Sequence, residues 1–221
     1  MLTPRLDTVA RYIYTKTAAD IGTDHAYIPI HIVKNKIAEH VIATDLRKGP
    51  LLIAESNVKK NGLSDNIELR LGSGLAPVEN YEAETFVIAG MGGELISDIL
   101  ENDIKKAKKA EYLVLQPMNS QDALRKWLSE NGFSVLKEDI ATEEYKVYNI
   151  ILARKGTPVI YKNEFELHIP PYLYSNKYFY ALRDKKKREF LKIKNGLEAA
   201  AAKNEELIEK YSGFLSELDK L

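Results

Sequence analysis

Apolar and polar positions along this chain follow two periods. Leu2, Leu6, Val9, Ala10 and Ile13 recur at helical spacing, so the first segment reads as an amphipathic helix. Short apolar runs follow at Ala18–Ile21, Val41–Thr44, Ile67–Leu71, Thr85–Ala89 and Tyr112–Leu115. Runs of that length, bounded by glycine or polar residues, predict strands buried on both faces. Helical patterns lie between them. One spans Ala26–Lys34, with Pro29 tolerable in a first turn. A second is opened by Gly49-Pro50, runs to Lys60 and is closed by Asn61-Gly62. A third follows Gly90-Met91-Gly92-Gly93 and runs to Leu100. A fourth spans Ser120–Glu130, turns Leu124, Trp127 and Leu128 inward, and stops at Asn131-Gly132. Strand–helix alternation of this kind predicts a parallel, doubly wound α/β sheet.

The end of the pattern differs. Phe133–Ile140 and Tyr145–Ala153 both read as strands, with only Ala141–Glu144 between them. That interval cannot hold a crossover helix, so the two strands must be antiparallel. Gly156-Thr157-Pro158 marks a boundary, and the stretch to Tyr174, with Pro170-Pro171, reads as irregular. The expected organisation is a domain over 1–156, a linker over 157–175 and a helical, coiled-coil-like appendage over 176–221. Leu182, Leu191, Ile193, Leu197, Leu207, Ile208, Leu215 and Leu218 supply its apolar positions. The run Ala199–Ala202 favours helix, and Gly196 or Ser212-Gly213 is the expected break between two antiparallel helices.

Composition narrows the classes. The 221 residues suit one sizeable domain with a smaller addition, and 45% apolar content supports a packed core. With no cysteine, disulfides and thiolate metal sites are excluded, which fits a reducing compartment. The opening MLTPRLDTVARYIY scatters charges and has no apolar core, so no signal peptide is expected. No apolar run approaches the ~18 residues of a membrane span. A cytoplasmic monomer, without membrane or metal partners, is the expectation. Net charge is zero, yet Arg183–Lys194 (RDKKKREFLKIK) holds seven basic and two acidic residues, a local +5. Such a run is either a solvated helix face or an arm for nucleic acid.

The candidate chemistry lies at the strand ends. The first strand ends in Asp20-Ile21-Gly22-Thr23-Asp24-His25, and the second in Asp45. A glycine turn after one strand and a carboxylate after the next are what a nucleoside cofactor needs: close backbone approach, and an acceptor for ribose hydroxyls. The pattern D-x-G-x-D-x-A has one glycine where dinucleotide sites show three, which argues against a pyrophosphate-bearing ligand. Asp20 is expected near the amino-acid portion of the cofactor, or is a structural strand-end residue. Asp45 is either the ribose acceptor or an N-cap of the next helix. Gly72-Ser73-Gly74 is placed beside an adenine ring, or is an ordinary turn. Gly90-Met91-Gly92-Gly93 ends the fourth strand, where cofactor and substrate meet, and is otherwise a flexible loop. His25 has no partner histidine at ligand spacing, so it is a base, an orienting group or a structural side chain. Ile169-Pro170-Pro171-Tyr172 imitates an amino-group methyltransferase motif but follows the finished sheet and lacks its polar first residue, so it reads as linker.

A parallel sheet ending in an antiparallel hairpin is similar to the class I S-adenosylmethionine-dependent methyltransferase fold. Taken together, ADIGTDHAYIPI, DLRKGPLLIAESNVKKNGL, LRLGSGLAP, IAGMGGELISDIL, LVLQPMNS with LRKWLSENGF, and KEDIATEEYKVYNIILARKG resemble the bacterial tRNA (adenine-N1)-methyltransferases acting on adenine 22, the TrmK-like group. The resemblance covers about Leu2 to Gly156. It implies a Rossmann-like sheet with a helical C-terminal appendage, S-adenosylmethionine as donor and tRNA as acceptor. It also implies that Gly22, Asp45, Ser73 and the loop Gly90, Met91, Gly92 and Gly93 line the donor, and the strand-end reading adds Asp20 and Gly72 as cofactor-binding candidates. Two positions depart from the family pattern: Ser73 stands where an aspartate is usual, and Asp45 where a glutamate is commoner. The Ser73 hydroxyl can still hydrogen-bond the adenine amino group but without charge assistance, which would lower donor affinity; Asp45 is one methylene shorter, and neither change removes the function.

On this reading the adenine N1 lone pair attacks the sulfonium methyl, and in-line positioning supplies most of the catalysis. Asp24, His25 and Tyr27 are expected at the target base, with Asn119 a further candidate; no metal is expected. Two rivals share the sequence features. A small-molecule methyltransferase needs no basic helical arm. A non-catalytic RNA-binding module on the same fold needs no intact donor turn.

Overall fold

The structure, a computed structural model, describes residues 2–221 and divides into two compact units, split between Ile160 and Tyr161. The first unit carries seven strands: β1 (Thr17–Ile21), β2 (His40–Asp45), β3 (Ile67–Leu71), β4 (Thr85–Met91), β5 (Tyr112–Pro117), β6 (Phe133–Glu143) and β7 (Lys146–Lys155). They form one sheet in the order β3-β2-β1-β4-β5-β7-β6. The pairs β1–β2, β1–β4, β2–β3 and β4–β5 are parallel, whereas β7 runs antiparallel to both β5 and β6. The expected sheet with its terminal hairpin is therefore present. Its last turn is tighter than the pattern suggested, because both strands extend by pairing until Glu143 meets Lys146.

Helices cover both faces: α1 (Pro4–Ala10), α2 (Tyr27–Lys34) and α3 (Lys48–Lys60), then α4 (Gly93–Asn102), α5 (Ile104–Ala107) and α6 (Gln121–Glu130). Alternation along the central strands divides the core between them. Val87 and Val114 face a cluster with Val9, Ile32 and Val58, while Ile88, Leu113 and Leu115 face Ile96, Leu100 and Leu124. Each central strand is apolar on both sides because each side has its own helical layer. Trp127 is only partly buried, stacked on Phe133 with its indole N–H donating to Glu101.

The chain reverses direction in the sheet at β1: strands β2 and β3 lie to one side, β4 and β5 to the other. The carboxyl ends of β1 and β4 therefore flank a crevice, where open α/β sheets bind ligands. Gly90 and Met91, expected as a loop, belong to β4. The register jumps from Ala89↔Gln116 to Met91↔Pro117, leaving Gly90 as a bulged residue at φ +83°. Its N–H, out of the ladder, donates instead to the Gln116 side chain at 3.1 Å.

The second unit holds α7 (Glu164–His168), a 3-10 turn (Pro171–Leu173), α8 (Phe179–Ala199) and α9 (Glu205–Leu218). The stretch expected to be irregular thus contains a short helix capped by Asn163, whose side chain accepts from Glu166 N. α8 and α9 are antiparallel, as Lys187 reaches Asp219 and Phe190 packs on Phe214. The break between them is neither Gly196 nor Gly213, which both lie inside helices; it falls in the alanine-rich stretch after Ala199. Asn204 caps the returning helix through Leu207 N, so packing and capping override the helix preference of the alanines. Nor do Leu191 and Ile193 join the core: they are exposed, and Phe165, Leu182, Phe190, Phe214 and Leu218 form it.

A buried charge locks the hairpin to the sheet. Arg125 of α6 is 0% exposed and pairs with Glu138 of β6, which also accepts from Asn149 Nδ2 of β7 at 2.7 Å. Removing one partner leaves an uncompensated buried charge. Arg125→Met is therefore expected to destabilise the fold by about 3–5 kcal/mol in urea unfolding; a change under ~1 kcal/mol would show that the pair is not structural.

Candidate active site

A cavity of about 910 Å³ opens at the carboxyl edge of the sheet, near the upper end of ligand-pocket sizes. Asp20, Gly22, Asp24, His25 and Tyr27 reach it from the end of β1 and the start of α2, and Asp45 from β2. Gly72 and Ser73 reach it from the β3 turn, and Gly90 and Met91 from β4. Residues scattered over seventy positions of sequence are thus brought to one wall-to-wall space. Gly92 and Asn119 are not among its lining residues. Gly92 is the N-cap of α4, and the Asn119 amide oxygen lies 2.9 Å from where a Gly92 side chain would begin.

Backbone bonds between β1 and β2 shape the turn. Gly22 N and Thr23 N both donate to Thr44 O, at 2.9 and 2.8 Å. Gly22 sits at φ +75°, a conformation that favours glycine, and a side chain there would also start 2.2 Å from Met91 Cε and push that flexible side chain aside. Asp24 and Ala26 also take left-handed conformations, at φ 52° and 58°. Such strain costs about 1–3 kcal/mol per residue and persists only where neighbours enforce it. Here Asp24 N donates to Asp45 Oδ2 at 3.3 Å, and Asn57 Nδ2 donates to His25 O at 3.0 Å.

Asp45 is not the N-cap of α3, which is Arg47 without a side-chain cap. Its Oδ1 accepts from Arg47 N at 2.8 Å and its Oδ2 from Asp24 N, which leaves each oxygen a lone pair toward the cavity. Two buried polar atoms in the lining, Thr44 Oγ1 and His25 Nδ1, have no hydrogen-bond partner. His25 Nε2 lies 3.5 Å from Asp24 Oδ2, and its ring is 5.4 Å from that of Tyr27, tilted by 54°. Tyr27 is 54% exposed, a planar face at the cavity mouth.

The chain's relatives fit this arrangement. The family described as a methyltransferase domain matches residues 2–151. The tRNA (adenine(22)-N(1))-methyltransferase of Bacillus subtilis is 41% identical over 156 residues, 70% of this chain and 66% of that protein. The crystal structure of the B. subtilis m1A22 tRNA methyltransferase TrmK superposes with TM-score 0.87 at 31% identity, covering 100% of this chain and 98% of that one. A Streptococcus pneumoniae protein in complex with S-adenosyl-L-methionine superposes with TM-score 0.87 at 31% identity, covering 100% and 99%. This chain belongs to the methyltransferase domain family, in its TrmK group. The resemblance and fold class expected from the motifs are thereby borne out.

Several lining residues of this TrmK-group site carried no sequence signal. Leu2, Thr3, Arg5 and Leu6 form a wall from the first turn of α1. Their helical spacing announced a core-facing helix, and nothing in it announced a ligand. Gln116, fully buried in β5, lies behind the lining rather than in it and accepts the Gly90 N–H that the bulge frees, which periodicity cannot reveal. Thr44 and Thr23 read as ordinary strand-end residues. Among the described residues no cluster of His, Cys, Asp or Glu could hold a metal ion, and no helix is long and apolar enough to cross a membrane.

Burial pushes the Asp20 carboxyl up to about 6, with the Asp45 charge adding to it and the 2.7 Å hydrogen bond from Thr23 Oγ1 opposing it. Because the folded-state value is raised, the folded protein holds a proton that the unfolded chain has lost between pH 3.8 and about 6. Asp20 therefore lowers stability as pH rises through that window, and the cost stays in place above it. Asp20→Asn is expected to raise the ligand-free unfolding free energy by about 1–3 kcal/mol near neutral pH, with the gain shrinking toward pH ~4. Urea titrations across that range check it, and a pH-independent difference would contradict the assignment.

Proposed function

We propose that this protein transfers the methyl group of S-adenosylmethionine to N1 of an adenine in tRNA, the adenine at position 22 in its relatives' names. The observation that carries the reading is the cavity, where an acid ending β2 and a left-handed glycine turn ending β1 meet at the crevice of the sheet. The residues present fit the donor. Gly22 clears the backbone, Asp45 keeps lone pairs for two ribose hydroxyls, and the unpartnered Thr44 hydroxyl and Ser73 line the nucleoside side. When bound, S-adenosylmethionine supplies an electrophilic methyl on a sulfonium.

The chain's own work is then positioning. Asp20 lies on the β1 side of the cavity, suited to an ammonium group, and Met91 and Gly90 border the place where donor and acceptor meet. A base in a folded RNA must be extruded to present N1, at a cost of a few kcal/mol. Tyr27 at the mouth offers a stacking face for it. Methylation at N1 leaves the base positively charged. His25, with its unpartnered Nδ1 and with Asp24 beside Nε2, is placed to take the proton shed from that base. Asn119 stays outside this group.

For RNA, the basic run of α8 supplies fewer open charges than its sequence suggested. Lys187 pairs with Asp219, Lys194 with Glu198, and Lys185 and Lys186 with Glu189. Arg188 and Lys192 are exposed and are the residues of this run proposed to meet phosphates. Their joint replacement by glutamate is expected to weaken tRNA binding and to flatten its salt dependence, with donor binding unchanged.

The deciding experiment incubates bulk tRNA with the protein and labelled donor, then maps the methylated nucleotide. N1-methyladenine at position 22 is expected. Label in small molecules alone favours the small-molecule reading, and absence of donor binding by calorimetry favours the non-catalytic module. His25→Ala and Asp24→Ala are each expected to lower turnover by about 100-fold with donor affinity retained. Near wild-type turnover in both would remove these two residues from the mechanism.

A further inference from the structure

The segment that opens α8 is rich in tyrosine: four of the chain's 13, Tyr172, Tyr174, Tyr178 and Tyr180, fall within nine residues. None of them joins the core of the second unit, which Phe165, Leu182, Phe190 and Phe214 supply. Tyr180 is the most exposed of the four, at 63%. Its ring is nonetheless held. The Arg183 guanidinium lies over one face, 5.0 Å from the ring centre, and buried Phe179 meets the ring at 6.0 Å and 60°. Asp184 in turn accepts from Arg183 Nη2 at 3.2 Å, which fixes the guanidinium and offsets that acid's charge. A ring so braced has little freedom left to lose when a second planar group stacks on its open face.

Tyr180 shares its side of α8 with cations that have no counter-charge. Tyr180, Asp184, Arg188 and Lys192 recur every four positions and are all exposed, whereas Phe179, Leu182, Lys186 and Phe190 turn inward. Among the described residues Arg188 and Lys192 meet no carboxylate at ion-pair distance. Nor does Lys177, whose ammonium lies 4.6 Å from the centre of the Tyr178 ring. At 1.5 Å per residue the row from Tyr180 to Lys192 spans about 18 Å. Its acid, Asp184, is already bonded to Arg183. The face therefore joins an aromatic platform to an excess of positive charge, which suits a polyanion. Single-stranded nucleic acid fits both parts, since rings take bases and cations take phosphates.

We propose that Tyr180, braced by Arg183 and Phe179, stacks on an unpaired base of the RNA acceptor while Arg188 and Lys192 hold phosphates along the same face, an inference that rests on the RNA reading above. The contact responds to strand state and not to charge: bases inside a duplex are closed to a flat ring, and unpaired ones are open to it. Binding titrations of the full chain with two probes test it: bulk tRNA and a blunt-ended RNA duplex. Tyr180→Ala is expected to weaken tRNA about 5- to 100-fold, with the slope of affinity against salt unchanged and the duplex unaffected. Tyr180→Phe is expected to bind tRNA as the unmodified protein does, because stacking needs only the ring. Arg188→Gln is the counterpart, expected to weaken both probes and to lower the salt slope by about one. Unchanged tRNA affinity in Tyr180→Ala would overturn the proposal. Equal weakening of both probes would make Tyr180 a structural residue and overturn it too. A dimer of the unmodified protein that Tyr180→Ala dissociates would give this face to a second copy, with the same consequence. If the unmodified protein binds neither RNA, the RNA reading itself fails, an outcome distinct from these.

Discussion

The site depends on the clasp between the ends of β1 and β2. Thr44 O receives two amides from the β1 turn, and Asp45 receives the amide of Asp24. These bonds hold the turn in left-handed conformations that Asp24 and Ala26 would not adopt unaided. With the turn so held, Asp20, Asp24, His25 and Tyr27 all reach one cavity. Asp45 thus fixes the turn through the Asp24 and Arg47 amides while lining the cavity, where it is proposed to meet the ligand. A longer acid at this position would keep the charge but move the carboxylate relative to the Asp24 and Arg47 amides.

The opposite wall is built on different physics. The Gly90 bulge takes one amide out of the β4–β5 ladder, and a buried polar group must find another partner. Gln116 supplies it and, with the same oxygen, anchors Arg5 of α1. The N-terminal helix is tied to the sheet there and again by the Arg5 amide on Glu143. One irregularity in a strand therefore helps fix a helix about 85 residues away in sequence. It also sets a cation opposite the acids of the first wall. Burial in the cavity wall is what raises Asp20, a desolvation cost that the Thr23 hydroxyl only partly offsets.

The second unit shows the limit of reading charge from composition. Arg183–Lys194 looked like a continuous basic arm, yet its acids are supplied locally by Asp184, Glu189 and Glu198, and by Asp219 from α9. The unit's core sets Phe165, Phe179, Phe190 and Phe214 beside Leu182 and Leu218, so only part of the leucine stripe that spacing suggested is buried. A long helix offers several faces of similar hydrophobicity, and the returning helix selects among them.

The sequence by itself determined the succession of strands and helices and the parallel sheet with its antiparallel hairpin, and it named many of the residues that line the cavity. Those features are local: buried strands must be continuously apolar, four residues cannot hold a crossover helix, and a turn against a ligand needs glycine at Gly22. Tertiary structure alone decided that α1 supplies a wall of the cavity, that Thr44 lines it, that Gln116 backs it through Arg5 and the bulged Gly90, and that Asn119 and Gly92 stand apart. Each of these depends on contacts between segments far apart in the chain. Periodicity records which face of an element is buried; which neighbour covers that face is settled only when the sheet closes around its crevice.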